Sequence, residues 1–436
     1  MDRGGPMSTP GSAPPSNPVT EPPVASPPPP SRPVVKRRSG RTGLWVLVGV
    51  VVIVVILVGV GLGTSWYGLQ KASTKSTEGA CSTGVTLQGN GAQAVNSLLT
   101  TWTDTYATAS GNQVNYVDGG SGTGITDFSQ HPPLTDFAVT DDPLTAAEVG
   151  AMPAAPLTLP FVGGALAIIY DLPGFSGHLN LSGAVLEEIY NGTITNWNDA
   201  AISALNPGFT FPSETIVPVV RSDPAGTTYV LTDFLSQESA YWASHVGKGI
   251  SVSFPKIAAE SAVKGNSLVI STVAKTPYAI GYSDLSDVVT YSSPLQYAAV
   301  QNPSGNYIVP TVQNTASAIA DKVASLGTSL PASADAKDWF NVSMVNAPGT
   351  SDYPLSTLIY LFVYQATDKG FTPSLVRSQV LVQWLDYILS PAAQSMANET
   401  SPSQLYYTAL PSAILAVDQA GIQSMTFNGA SIPGCT

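Results

Sequence analysis

Apolar and polar residues follow three regimes along the chain. Residues 1–43 show no apolar periodicity and hold 12 prolines among Ser, Thr, Gly and Val. Such a segment cannot bury enough surface to offset chain entropy, so disorder is expected, although the Pro27–Pro30 run also has the form of a polyproline ligand. Leu44 to Gly63 then runs for twenty residues without a charge. As a helix this stretch spans about 30 Å, the thickness of a bilayer's hydrocarbon core. Trp45 at one end and Trp66-Tyr67 at the other suit the two interfaces. Lys36-Arg37-Arg38 and Arg41 precede the span, which predicts a cytoplasmic N-terminus and an extracellular remainder. A cleaved signal peptide fits less well, because the stretch is long and no small-x-small site follows closely.

Residues 64–80 read as a polar stalk. From about Gly84 short β-rich runs alternate with amphipathic helices, the α/β pattern. Val114–Val117, Asp136–Val139, Leu166–Tyr170 and Ile216–Val220 predict strands. Val95, Leu98, Leu99, Trp102 and Tyr106 fall at the spacing of a helix with one buried face, as do Val230, Leu231, Phe234 and Leu235. No repeat of fixed period is present. The length of 436 residues suits two or three folding units.

Charge narrows the function. Through residue 63 six basic residues face two acidic ones, a net of +4, leaving eleven basic and twenty-seven acidic residues, or −16, beyond it. An acidic exterior repels nucleic acid and anionic membrane surfaces. It also repels a small anion at long range, so anion binding there must rest on short-range donors. The two cysteines, Cys81 and Cys435, bracket the acidic part. Outside the cell they suit a disulfide pinning its ends; otherwise they are two free thiols. His131, His178 and His245 stand in separate segments without metal-ligand spacing or an adjacent nucleophile. No metal, cofactor or catalytic residue is therefore predicted, and the histidines read as surface or capping residues. Trp197 and Trp339 read as packing.

Three segments share one design, a strand or loop followed by a glycine- and hydroxyl-rich turn and a helix. They are Gly89-Asn90-Gly91-Ala92-Gln93-Ala94, Gly119-Gly120-Ser121-Gly122-Thr123-Gly124 and Arg221-Ser222-Asp223-Pro224-Ala225-Gly226-Thr227-Thr228. The first N–H groups of a helix lack internal partners and carry the positive end of the helix dipole, while glycine lets an anion approach closely. Each turn is therefore either an ordinary helix cap or an oxyanion cradle. None matches a nucleotide-binding loop, and Ser121 fails the Gly-x-Ser-x-Gly elbow because Thr123 replaces the second glycine.

The order GNGAQAV, VNYVDGGSGTGITDF, TDFAVTDDPLT, NGTITNWNDAAISALNPG, VVRSDPAGTTYVLTDFLS, AIGYSDL and LYYTALPSAIL resembles the phosphate-binding protein of the phosphate-specific ABC transporter. The resemblance covers roughly residues 84–425. It implies a two-lobed α/β fold of the type II periplasmic-binding-protein class with hinge strands, here preceded by one transmembrane helix. It divides the chain into lobe I at 81–157 and 304–436 and lobe II at 158–303. It implies a monomeric receptor that binds inorganic phosphate and partners an ABC permease and its ATPase, without enzymatic activity. Carried over by position, the ligand contacts are Gln93, Ala94, Ser121, Asp141, Arg221, Ala225, Gly226 and Thr227, with Asp223 orienting Arg221.

The chemistry of these residues agrees with those roles. A guanidinium donates two parallel hydrogen bonds to a phosphate. A carboxylate such as Asp141 suits an anion site only if the ligand has a proton to donate; hydrogen phosphate has one and sulfate has none. The competing role for Asp141 is a helix cap before Pro143. Gln93-Ala94 stands where the family has Thr-Phe, and Ala225 where it has serine. The backbone amides of Ala94 and Ala225 are expected to remain available, but two hydroxyls are gone. Each is worth about 1.5–3 kcal/mol, or tenfold to a hundredfold in affinity, unless Gln93, Thr123, Thr140 or Ser222 replaces it. Competing readings are a surface sensor, a binder of another tetrahedral oxyanion, and an enzyme acting on phosphate esters.

Overall fold

The computed structural model describes residues 82–293, 295–398 and 405–434. The stretch 44–63 read as a membrane span, and both cysteines, lie outside them. No helix among the described residues is long and apolar enough to cross a membrane.

The chain alternates strands and helices. The elements that build the site are β1 (Thr86–Gly91), α1 (Asn96–Ser110), β2 (Gln113–Val117), α2 (Ser121–Phe128), β3 (Phe137–Thr140) and β4 (Pro156–Tyr170). They continue with β5 (Val217–Arg221), α3 (Gly226–Glu238), β6 (Ser261–Val263), α4 (Asn266–Val273), β7 (Ala279–Asp284) and β8 (Ser356–Tyr364). These strands lie in the order β2-β1-β3-β8-β4-β7-β5-β6. β1 is parallel to β2 and β3, and β5 to β6 and β7, whereas β4 and β8 run antiparallel to each other. Parallel strands need crossover connections, which the helices supply.

Two hydrophobic cores follow from this order. One gathers α1, β1, β3 and the first half of β4 around Trp102, Phe137 and Phe161; the other gathers α3, α4, β5 and β7 around Trp197, Phe234 and Tyr282. The cores meet on β4 and β8. Val162 belongs to the first core and Ala165 to the second, with Gly163 and Gly164 between them, while Leu355 lies in the second core and Leu358 in the first. The result is a two-lobed α/β molecule crossed by two long strands. Both strands are buried along their whole length.

The predicted periodicities map onto these cores. Leu98, Leu99, Trp102 and Tyr106 are the buried residues of α1, preceded by buried Val95, and Val230, Leu231, Phe234 and Leu235 are buried on α3. The strand expected at Leu166–Tyr170 is much longer, beginning at Pro156. Its first half holds Pro156, Pro160 and two glycines, residue types that ordinarily interrupt strands. Pro160 is tolerated because the register against β8 shifts there, between Ile359 and Tyr360, and a bulge releases one backbone donor. Gly163 is small because a Cβ there would collide with Ile319 and Thr408.

Candidate functional site

The three glycine-rich turns each follow the C-terminal end of a parallel strand, β1, β2 and β5 respectively. This is the edge at which open α/β sheets present their loops to ligands. The first two are tied together: Asn90 Oδ1 accepts from Gly119 N at 3.2 Å, Gly91 O accepts from Gly120 N at 2.8 Å, and Asn90 Nδ2 donates to Asp127 at 2.6 Å. Gly120 takes φ +94°, a conformation that favours glycine, and so directs Ser121 into the first turn of α2, where it is buried.

The third turn, from the second core, meets the second turn and the loop after β3. A Cβ on Gly122 would stand 2.7 Å from Pro224 Cβ, and one on Gly226 would stand 2.6 Å from Asp141 Oδ2. Ser121, Asp141, Arg221, Gly226 and Thr227 are all buried near this junction. Asp141 is 3% exposed, and its Oδ1 has no hydrogen-bond partner. It is not a helix cap: Thr145 caps the following helix, in a capping box with Glu148. Its backbone carbonyl accepts from Thr357 Oγ1 on β8 at 3.2 Å, which fixes it to the crossing strands.

Arg221 ends β5 with its guanidinium held on two edges. Nε and Nη2 donate to Asp223 at 2.8 and 2.6 Å, while Nη1 donates to Thr227 Oγ1 at 3.2 Å and to Asn266 Oδ1 at 2.5 Å. Its backbone N–H donates to Tyr282 Oη at 3.1 Å. Asp223 therefore orients Arg221 as an ion pair. Burial raises the Asp223 carboxyl, but the guanidinium outweighs it and leaves the group below the usual carboxylate range.

The acids behave differently. Burial pushes Asp141 up to about 7, with Arg221 opposing and Asp287 reinforcing the rise. Burial likewise lifts Asp287 to about 6, opposed by Asn266 and Arg221. Asp284 stands well above its usual range through burial and its neighbours Asp141 and Asp287. A site with this many buried carboxyls tolerates an anion only if protons lie between like charges.

Several expected donors are placed otherwise. The Ala225 amide is not available: it donates to Ile250 O at 2.9 Å, because the extended residue before α3 faces the loop after residue 246. The Gln93 carboxamide crosses between the cores and accepts from Asn266 N at 2.9 Å. Thr140 Oγ1 donates to Asp142 O, while Thr123 and Ser222 are exposed. Ala94 sits in a 3-10 turn and accepts from Tyr407 Oη. The histidines stay apart on the surface, with His131 on Ala151 O, His178 on Tyr297 O and His245 stacked on Tyr241. Trp197 and Trp339 are fully buried.

The PBP superfamily domain matches residues 73–392. The phosphate-binding protein PstS of Pasteurella multocida is 30% identical over 316 residues, 70% of this chain and 86% of that protein. That of Xylella fastidiosa strain 9a5c is 33% identical over 289 residues, 65% of this chain and 73% of that protein. The chain belongs to the PstS family. Among solved structures, the periplasmic phosphate-binding protein PfluDING bound with phosphate aligns with a TM-score of 0.59 at 20% identity, over 77% of this chain and 93% of its own. The Stenotrophomonas maltophilia phosphate-binding protein aligns at 0.57 and 18% identity, over 77% and 94%. These likenesses establish the shared fold. PstS proteins form a family of phosphate-binding proteins, not enzymes.

Within this PstS-family chain, Asn266, Asp284 and Asp287 escaped sequence reasoning. Gly265-Asn266 opens α4 just after β6, the same strand-turn-helix signature as the other three turns, with Gly265 at φ +82°. Asp284 lies inside AIGYSDL, a stretch that resembles the family but carries no obvious chemistry on its own.

Proposed function

We propose that this chain is a membrane-anchored extracellular receptor that captures hydrogen phosphate and delivers it to an ABC permease and its ATPase. The observation that carries the reading is Asp141: a buried carboxyl with one unpartnered oxygen, against the first helical glycine of α3 and beside Arg221. Such an acceptor is stabilised by a ligand that brings its own proton. Hydrogen phosphate does so, and a fully ionised oxyanion leaves two bare charges facing each other.

The remaining contacts have assigned tasks. Arg221 neutralises the anion, and the N–H groups of Gly226 and Thr227 at the start of α3 donate to its oxygens, as do Ser121 and the Ala94 amide. Ala225 contributes only by leaving Gly226 uncovered. Closure of the two lobes removes the anion from the acidic exterior into a site where short-range donors dominate. Residues 44–63 anchor the receptor, with residues 1–43 inside the cell, and it works as a monomer. The names of the PstS relatives support phosphate as the ligand.

Titration calorimetry of the full-length protein with phosphate, arsenate, sulfate and molybdate tests the reading. Phosphate and arsenate are expected to bind at pH 8 with sulfate silent; equal binding of sulfate overturns the role of Asp141. Removing residues 1–63 is expected to release phosphate-binding activity from the membrane fraction.

A further inference from the structure

Four hydrogen bonds converge on Asn266, a residue 3% exposed at the start of α4. Its Nδ2 donates to Asp284 Oδ2 at 2.7 Å and to Asp287 Oδ2 at 2.8 Å. An ionised carboxylate only accepts, so Asp287, lifted no further than about 6, keeps the donor end of the amide turned toward the pair at pH 8. The carbonyl end is thereby turned toward Arg221 and accepts from Nη1 at 2.5 Å. The backbone N–H of the same residue donates to Gln93 Oε1, which belongs to the other lobe, at 2.9 Å. The chain of contacts thus runs from a buried acid pair, through one amide, to the guanidinium edge that Asp223 leaves uncovered.

We infer that Asn266 is a positioning residue for Arg221: Asp284 and Asp287 orient its amide, and its carbonyl holds the guanidinium in the plane that receives the anion. The Gln93 contact completes this arrangement only when the lobes are together, so Asn266 also links the direction of Arg221 to closure. The inference rests on the phosphate reading above. Neither neighbouring chemistry substitutes. An aliphatic side chain strands two buried acids and one guanidinium edge, and a carboxylate places a third acceptor against the pair.

The test uses the full-length protein with inorganic phosphate, by calorimetry at pH 8 and pH 6, with each variant expressed relative to wild type at the same pH. Asn266→Asp is expected to lose at least tenfold in affinity at pH 8 and to regain most of it at pH 6, because a proton on the introduced carboxyl restores a donor. The charged groups facing that position are Arg221, Asp284 and Asp287, with Asp223 beyond the guanidinium and Asp141, Asp118 and Tyr407 acting on the two acids. Adding Asp287→Asn to Asn266→Asp exchanges donor and acceptor, and is expected to recover at least threefold at pH 8. Asn266→Ser provides a milder variant in case the first does not fold; its loss is expected to vanish in an Arg221→Lys background, since the residue acts through Arg221. A loss equal at both pH values and unrelieved by the exchange, a loss from Asn266→Ser that persists with Arg221→Lys, or unchanged affinity overturns the inference and leaves the phosphate reading standing. Failure of the wild type to bind phosphate overturns both.

Discussion

Asp141 and Gly226 touch across the two lobes, so closely that a Cβ on Gly226 would stand 2.6 Å from the Asp141 carboxylate. One comes from the loop after β3, whose strand packs in the first core, and the other from the first residue of α3, which packs in the second. Gly226→Ala is therefore expected to block closure and weaken phosphate binding at least about a hundredfold, or about 2.7 kcal/mol. Its thermal midpoint without phosphate should stay within a few degrees of wild type, because each lobe keeps its own core. Calorimetry paired with thermal melting separates the two effects.

Asp141 should govern selectivity through its proton. Below the value of about 7 to which burial raises it, the carboxyl carries a proton and can donate to sulfate. Sulfate competition against phosphate is expected to be negligible at pH 8.5 and to strengthen as the pH falls below 7. In Asp141→Asn the amide donates at every pH, so competition should be present throughout and independent of pH. Competitive titration over pH 5–9 checks both curves.

The same shift has a sign for stability. An acid whose folded pKa lies above its unfolded value of about 3.9 binds more protons folded than unfolded between the two, so its contribution falls as pH rises through that window. With Asp141 near 7, the cost should be absent at pH 4 or below and complete above pH 7. The thermal midpoint of Asp141→Asn minus that of wild type, without phosphate, is expected to grow across this range and then level off.

Arg221→Lys should fail as a conservative change. A lysine ammonium cannot make the parallel pair to Asp223 at 2.8 and 2.6 Å while also reaching Thr227 and Asn266. Losing charge-assisted bonds worth about 1.5–3 kcal/mol each is expected to weaken phosphate binding by about a hundredfold or more. Gln93→Ala removes one inter-lobe bond of about 0.5–1.5 kcal/mol and is expected to cost only about two- to tenfold, chiefly as faster release. Stopped-flow displacement of phosphate distinguishes the two variants.

Much of this was legible in the chain because it is local. The apolar stripe of Leu98, Leu99, Trp102 and Tyr106 announces α1, while the pairing of Arg221 with Asp223 came from the family resemblance. The turn that opens with Gly226-Thr227 reads as a helix start from its glycine and hydroxyl. What stayed hidden depends on partners far along the chain. The Ala225 amide is taken by Ile250, from a stretch without periodicity. Asn266 acquires meaning only when β7 brings Asp284 and Asp287 beside it, and nothing in the composition around it marks that meeting. The first half of β4 contains Pro156 and Pro160, the second of which a bulge accommodates.

The most direct measurement is a crystal structure of the protein grown with phosphate at pH 8. The account predicts the anion between the lobes, with one oxygen within hydrogen-bond distance of Asp141 Oδ1 and others on Arg221 and the amides of Gly226 and Thr227. A phosphate bound elsewhere, or one whose oxygens avoid Asp141, contradicts it.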